Sequence, residues 1–145
     1  MEKIYWDDLE VGAEFWGDTV VVDPDEMLEY AQRNDPQPFH LDEDAAKATP
    51  FGGVIASAGY TVTLWYRSGI PVLTKFAFLG GFEWLIKMPA PVRPNDQLRV
   101  RIEIKNKRVS SRPGRGYVVT FQEIFNQNET VVFTCEVTWM LATRP

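Results

Sequence analysis

Val54-Ile55-Ala56-Ser57-Ala58-Gly59-Tyr60-Thr61-Val62-Thr63-Leu64-Trp65-Tyr66-Arg67-Ser68 is apolar on nearly all sides. The run is too long for an ordinary buried strand, so it predicts a buried helix despite its β-branched residues. Small residues open it, and Leu64, Trp65 and Tyr66 follow. Everything downstream reads as strand. Phe76 to Met88 is one. In Leu98 to Val109, Leu98, Val100, Ile102 and Ile104 point one way, while Arg99, Arg101, Glu103 and Lys105 point the other. Ser110 to Gly116 is a turn, Tyr117 to Phe125 a strand, Asn126 to Glu129 a hairpin turn and Thr130 to Leu141 the last strand. One long apolar helix with a run of antiparallel strands is an α+β pattern, and it suggests a sheet wrapped around the helix.

Upstream, the chain is richer in turns and helices. Glu14 to Val22 reads as a strand ending at Asp23-Pro24-Asp25-Glu26, a strong helix start. Asp23 can cap the free amides, Pro24 suits the first helical position, and Glu26 completes a capping box. The helix is expected to reach about Arg33 and must stop before Pro36, because the residue preceding a proline is pushed out of helical space. Asp35 to Leu41, held by Pro36 and Pro38, is expected to be a stiff extended loop. Asp42 can cap a short helix through Ala48, and Thr49 to Gly53 is a turn.

The 145 residues suit one domain spanning 1–145, and 45% hydrophobic content argues against disorder. The single cysteine, Cys135, lies in an apolar run and reads as a small core residue, a pattern that fits a reducing cytoplasm. The N-terminal stretch carries Asp7 and Asp8 where a secretory signal has an apolar segment, so the expected location is cytoplasmic. No run is long and apolar enough for a membrane span. A net charge of -5 argues against nucleic acid as a partner. Nine of the 15 Lys and Arg nevertheless fall between Lys87 and Arg115. For most of them this is the solvated face of long strands; one or two, Arg93 among them, are candidates for a ligand phosphate.

His40 is the only histidine, and it follows Asp35 by five residues in the proline-stiffened loop. Aspartate and imidazole on one such loop can face a common water, removing a proton at one point and delivering one at another. On spacing alone, a surface loop in which Asp35 caps a turn and His40 is incidental is the simpler account. Ser57 is either a helix-start residue or a group that orients a carboxylate or a substrate carbonyl. Tyr60 and Trp65 read as core, and Gly80-Gly81 as a bulge.

The segment Tyr30-Ala31-Gln32-Arg33-Asn34-Asp35-Pro36-Gln37-Pro38-Phe39-His40-Leu41-Asp42 resembles the hydratase motif of MaoC-like acyl dehydratases and (R)-specific enoyl-CoA hydratases. Pro50 to Ser57 resembles that family's turn into its central helix. Pro91-Val92-Arg93-Pro94-Asn95-Asp96-Gln97-Leu98 resembles the start of one of its strands, and Tyr5 to Gly12 its opening. The resemblance implies a hot-dog fold, a curved antiparallel sheet wrapped around the central helix. It implies an acyl-CoA substrate and pairing into a homodimer or higher homo-oligomer with sites at the interface, with no metal or redox cofactor. Asp35 and His40 would activate a water that adds to a trans-2-enoyl thioester, giving an (R)-3-hydroxyacyl thioester. A backbone amide at Ala58 or Gly59 would bind the thioester oxygen, where helix-terminal amides favour developing negative charge. Gln37, Ser57 and Arg93 would complete the substrate site.

Three positions depart from the family pattern: Asn34 where glycine is common, Gln37 where asparagine is common, and Ala58 in a segment that often reads Ala-His-Gly. Two other functions share the fold: a thioesterase, and a non-catalytic acyl-CoA-binding module. The first commonly needs a carboxylate on or near the central helix, and Val54 to Ser68 has none. The second has no chemical need of the Asp35/His40 pair.

Overall fold

Asp23 caps the first long helix as its sequence predicts. In the computed structural model, which describes residues 2–145, its side chain accepts hydrogen bonds from the amides of Asp25 and Glu26. That helix, α1, spans Pro24–Asn34 and buries Met27 and Ala31. It follows two short strands, β1 (Glu14–Trp16) and β2 (Val20–Val21), so the strand expected from Glu14 to Val22 is broken at Gly17. A β-carbon at Gly17 would lie 2.2 Å from the Ser68 carbonyl oxygen, so only glycine lets the chain pass there.

The expected extended loop from Asp35 to Leu41 is a correction. Pro38–Leu41 forms a short helix, α2, followed by α3 (Glu43–Lys47), which Asp42 caps through Ala45 N–H. Pro36 does stop α1. Pro38 instead starts a helix, because its fixed φ suits the first helical position.

The central helix, α4, spans Ala58–Leu73 rather than Val54 to Ser68. Residues 54 to 56 stay extended and are tied to three other segments: Val54 N–H bonds to Glu43 Oε2, Ile55 N–H to the Phe39 carbonyl and Ala56 N–H to the Val92 carbonyl. At the far end the helix carries Pro71 two residues before it stops. The carbonyl that loses its in-helix donor belongs to Arg67, which is exposed to water.

Four long strands follow: β3 (Phe78–Lys87), β4 (Gln97–Val109), β5 (Arg115–Phe125) and β6 (Val131–Ala142). They pair antiparallel in the order β1-β4-β5-β6-β3, with β2 also on β4. Register shifts at Phe78/Gly80 and Gly81/Glu83 place the expected bulge at the two glycines. The alternation of β4 is realised: Leu98, Val100, Ile102 and Ile104 are buried. With Val118, Ile124, Phe133, Cys135, Val137 and Leu141 they form the inner face that packs on Tyr60, Leu64, Trp65 and Val72 of α4. This is the hot-dog architecture, an α+β fold. Among the described residues, no helix is long and apolar enough to cross a membrane.

Trp84 and Trp139 pack against aromatic neighbours, Trp65 and Phe76 respectively. Most of the basic segment is engaged within the sheet: Arg101 pairs with Glu14 and Glu123, Lys105 with Glu103, Arg99 bonds to the Gly17 carbonyl, Lys107 to the Leu9 carbonyl, and Arg108 lies over the Tyr117 ring.

Candidate active site

Asp35 closes α1. Its amide bonds to the Ala31 carbonyl, and its own carbonyl accepts the Gln37 amide. The His40 amide then bonds to the Gln37 carbonyl, so one tight turn joins the two residues. Packing fixes the imidazole. His40 is 6% exposed, its ring lies edge-on to Phe39, and Nδ1 is 2.8 Å from the Ile55 carbonyl oxygen.

A carbonyl only accepts, so Nδ1 carries a proton and Nε2 is the site left to gain or lose one. Nε2 lies 3.2 Å from Asp35 Oδ2. A bare lone pair facing a carboxylate oxygen would be repulsive, so the contact is favourable with one proton between the two residues. Ser57 Oγ donates to the same Oδ2 at 2.9 Å. Ser57 is the N-cap of α4, yet its side chain makes no cap bond because the hydroxyl is turned to Asp35. The amides of the first turn therefore have no side-chain cap. Asp35 remains part-exposed, and its second oxygen has no hydrogen bond among the described residues.

These groups face a cavity of about 310 Å³. Its walls are Asp35, His40 and Thr61 among otherwise apolar residues: Phe51, Ile55, Ala56, Ala58, Met88 to Val92, and Val132. Two polar groups that converge beside a mostly apolar chamber suit a ligand with a long apolar part and one reactive end.

The candidate residues divide into two groups. Asp35, His40 and Ala58 line the cavity, and Ser57 stands behind them, bonded to Asp35. Gly59 sits in the same first turn but faces away: a β-carbon there would meet the Tyr30 hydroxyl at 2.2 Å. Gln37 is exposed and bonds only through its backbone. The Arg93 guanidinium is bonded to the Phe51 carbonyl at the rim. Sequence reasoning missed the Ile55 carbonyl, which orients His40, and the Met88 to Val92 wall. A backbone carbonyl acting from 15 positions away leaves no residue-type signal.

A second cluster lies on the other flank of α4. Tyr60 and Arg67 both donate to Glu26 Oε1 at 2.7 Å. Those two bonds, Arg67 first, hold the Glu26 carboxyl below its usual range. Burial and the bond to Glu26 push the Tyr60 hydroxyl well above its ordinary value. Tyr60 is thus a core residue tied to α1, as its sequence reading implied.

Residues 10–124 match the family described as MaoC like domain. The chain belongs to the MaoC-like dehydratase family. A MaoC-like dehydratase from Rhodospirillum rubrum has a similar crystal structure, with a TM-score of 0.89 and 31% identity, covering 98% of this chain and 99% of that one. The unliganded R-hydratase PhaJ1 from Pseudomonas aeruginosa is similar with a TM-score of 0.67 and 25% identity, covering 99% and 88%. The uncharacterized protein YdeM of Bacillus subtilis (strain 168) is 28% identical over 140 residues, 93% of this chain and 96% of its own. The MaoC-like chain and these relatives place the protein in a hydratase/dehydratase family.

Proposed function

We propose that this chain hydrates a trans-2-enoyl thioester to an (R)-3-hydroxyacyl thioester, or runs the reverse dehydration, with Asp35 and His40 as its proton-transfer groups. The observation that carries the reading is the convergence of His40 Nε2 and Ser57 Oγ on one oxygen of Asp35, beside an apolar cavity. That arrangement leaves the second Asp35 oxygen free to take a proton from a water held between the two residues.

The steps balance without a cofactor. The water oxygen bonds to C3 of the enoyl group, and the C2–C3 π electrons move toward the thioester oxygen. Asp35 takes the water's proton, and the proton on His40 Nε2 goes to C2. The proton gained by Asp35 restores the shared one. Negative charge on the thioester oxygen during this step suits the amides of Ala58 and Gly59, which open α4. The acyl bearer fits acyl-CoA, with Arg93 and Gln37 at or beyond the rim available to its polar part. No observation favours a thioesterase, for α4 carries no carboxylate.

The test is loss of the conjugated enoyl-thioester absorbance with crotonyl-CoA and longer homologues, with His40→Ala as control. Turnover by wild type and not by the variant supports the reading. Equal turnover by both, or none with any chain length, rejects it.

A further inference from the structure

Two cavities lie end to end along α4. The catalytic one, about 310 Å³, is lined by Ala58 and Thr61 of α4, Val132 of β6 and Met88 just past β3. A second, about 390 Å³, is lined by the next stretch of the same three segments: Gly69 on α4, Val137 on β6 and Trp84 on β3. Val137 and Trp84 pair in register, so the strands reach the second cavity together. The two share no lining residue among the described ones. They are successive chambers of one groove with something between them.

What stands between them is Trp65. It follows Thr61 by one helical turn, on the same face of α4. Its ring spans the groove. The centroid lies 5.3 Å from that of Phe133, the neighbour of Val132 in the chain, and 5.2 Å from that of Trp84. Those are contact distances for aromatic rings. Trp65 is 6% exposed and Phe133 fully buried.

The indole is also pinned. Its Nε1–H donates to Gln122 Oε1 at 2.7 Å. Gln122 Nε2 donates to Thr120 Oγ1 at 3.0 Å, and Thr120 Oγ1 donates to the Val137 carbonyl at 3.2 Å. Gln122 and Thr120 are buried, so this is a polar chain set into the apolar inner face of β5. Apolar side chains would pack that face without it. A satisfied buried network fixes geometry, because moving one member strands the next. Swinging the indole aside would leave its N–H and the Gln122 carbonyl unpaired in an apolar interior. Trp65 is a wall and not a gate.

We propose that Trp65 is the specificity-determining residue that ends the acyl site. The chain then takes short enoyl thioesters, and the second chamber lies beyond the substrate's reach. This rests on the proposed function. With the thioester oxygen at the Ala58 and Gly59 amides, an acyl chain lying along α4 passes Thr61 and meets the indole. The Trp65 backbone stands about 10 Å beyond Ala58 along the helix axis. Its side chain leans back toward the helix N-terminus, which shortens that span further.

Calorimetric binding of butyryl-CoA and octanoyl-CoA to the full chain tests the wall and needs no turnover. Wild type should bind butyryl-CoA about tenfold or more tightly than octanoyl-CoA, since even one methylene too many for an apolar pocket is worth about 10–200-fold. Trp65→Leu opens the wall and keeps an apolar filler. It should raise octanoyl-CoA relative to butyryl-CoA by about tenfold or more, with an unchanged circular dichroism spectrum. A β-carbon at Gly81 would meet Trp84, Phe78 and Trp139 at 3.9 to 4.0 Å, ordinary contact, so Gly81→Leu fills the second chamber and leaves the wall. Alone it should keep the ratio within about twofold of wild type, and combined with Trp65→Leu it should cancel the gain. A wild type that binds both thioesters alike, an unchanged ratio in Trp65→Leu, or a loss of octanoyl-CoA in Gly81→Leu alone each overturns the wall. If Trp65→Leu does not fold, the wild-type ratio and Gly81→Leu decide. Binding of neither thioester overturns the proposed function as well, whereas binding with the wrong ratio overturns the wall alone.

Discussion

Two buried serines belong to α4, one as its N-cap and one inside it, and they do opposite things. Ser68, toward its C-terminal end, donates to the Asp18 carbonyl and accepts the Val100 amide. Both bonds of that hydroxyl go to backbone, so it stitches α4 to the β1–β2 loop and to β4. Ser57, at the N-terminal end, donates a hydrogen bond to a carboxylate whose other oxygen has no partner among the described residues. Both are nearly inaccessible, at 0% and 2% exposure. Burial therefore does not separate structure from function here. What separates them is whether the bonded partner has capacity left to act on something else.

The sharpest way to break that comparison is to remove the partner at the Ser57 end. Asp35→Asn keeps the size of the side chain but cannot accept a proton from water. Turnover of the enoyl thioester should fall about 10²–10⁴-fold, with little change in melting temperature. A variant that keeps wild-type turnover would end the assignment of Asp35 as the base.

The two serines themselves give the next largest contrast. Ser57→Ala removes a bond to a charged group, worth about 1.5–3 kcal/mol. If that bond positions Asp35 for the transition state, kcat should fall about 10–100-fold with KM unchanged. Ser68→Ala should do the reverse. It leaves the buried Val100 amide without its partner, at a cost of about 1–3 kcal/mol. Its melting temperature should drop by several degrees, about 2–4 °C per kcal/mol for a domain of this size, with kcat intact. Equal effects of both variants on both readouts would erase the distinction.

The same contrast explains how far the sequence could be read. The β4 alternation names its buried face outright, because a period of two maps directly onto a sheet. The cap at Asp23 and the stop at Pro36 are local and equally legible. Apolar periodicity starts α4 four residues too early, because Val54 to Ala56 are extended and tied to Glu43, Phe39 and Val92. Apolar periodicity does not record such partners. Pro38 suits a stiff extended loop and a helix start equally well by its dihedral, and here it starts α2. At the site, Asp35 and His40 stand close in sequence and in space. The Ser57 contact crosses 22 positions, and the Ile55 carbonyl that sets the imidazole tautomer has no side chain to announce it. Motif resemblance pointed to the right neighbourhood, while the direction of each bond needed the fold.

The smallest expected effect lies on the outer flank of α4, where Glu26 ties Tyr60 and Arg67 to α1. Its carboxyl is held below the value of 4.5 that it has when unfolded, by Arg67 first and Tyr60 second. A depressed carboxyl stabilises the fold in its ionised form. That contribution is complete above the unfolded value and is lost as pH falls through the lower folded one. Glu26 is 43% exposed on its side chain, so the tie is screened and worth under about 1 kcal/mol. Melting curves of wild type and Glu26→Gln should therefore differ modestly at pH 7 and converge toward pH 3. Thioester turnover at pH 7 should be the same for both, since this cluster faces away from the cavity. A gap that widens on acidification would reverse the sign of the linkage, and a loss of turnover would mean that α1 transmits strain from Glu26 to Asp35 at its far end.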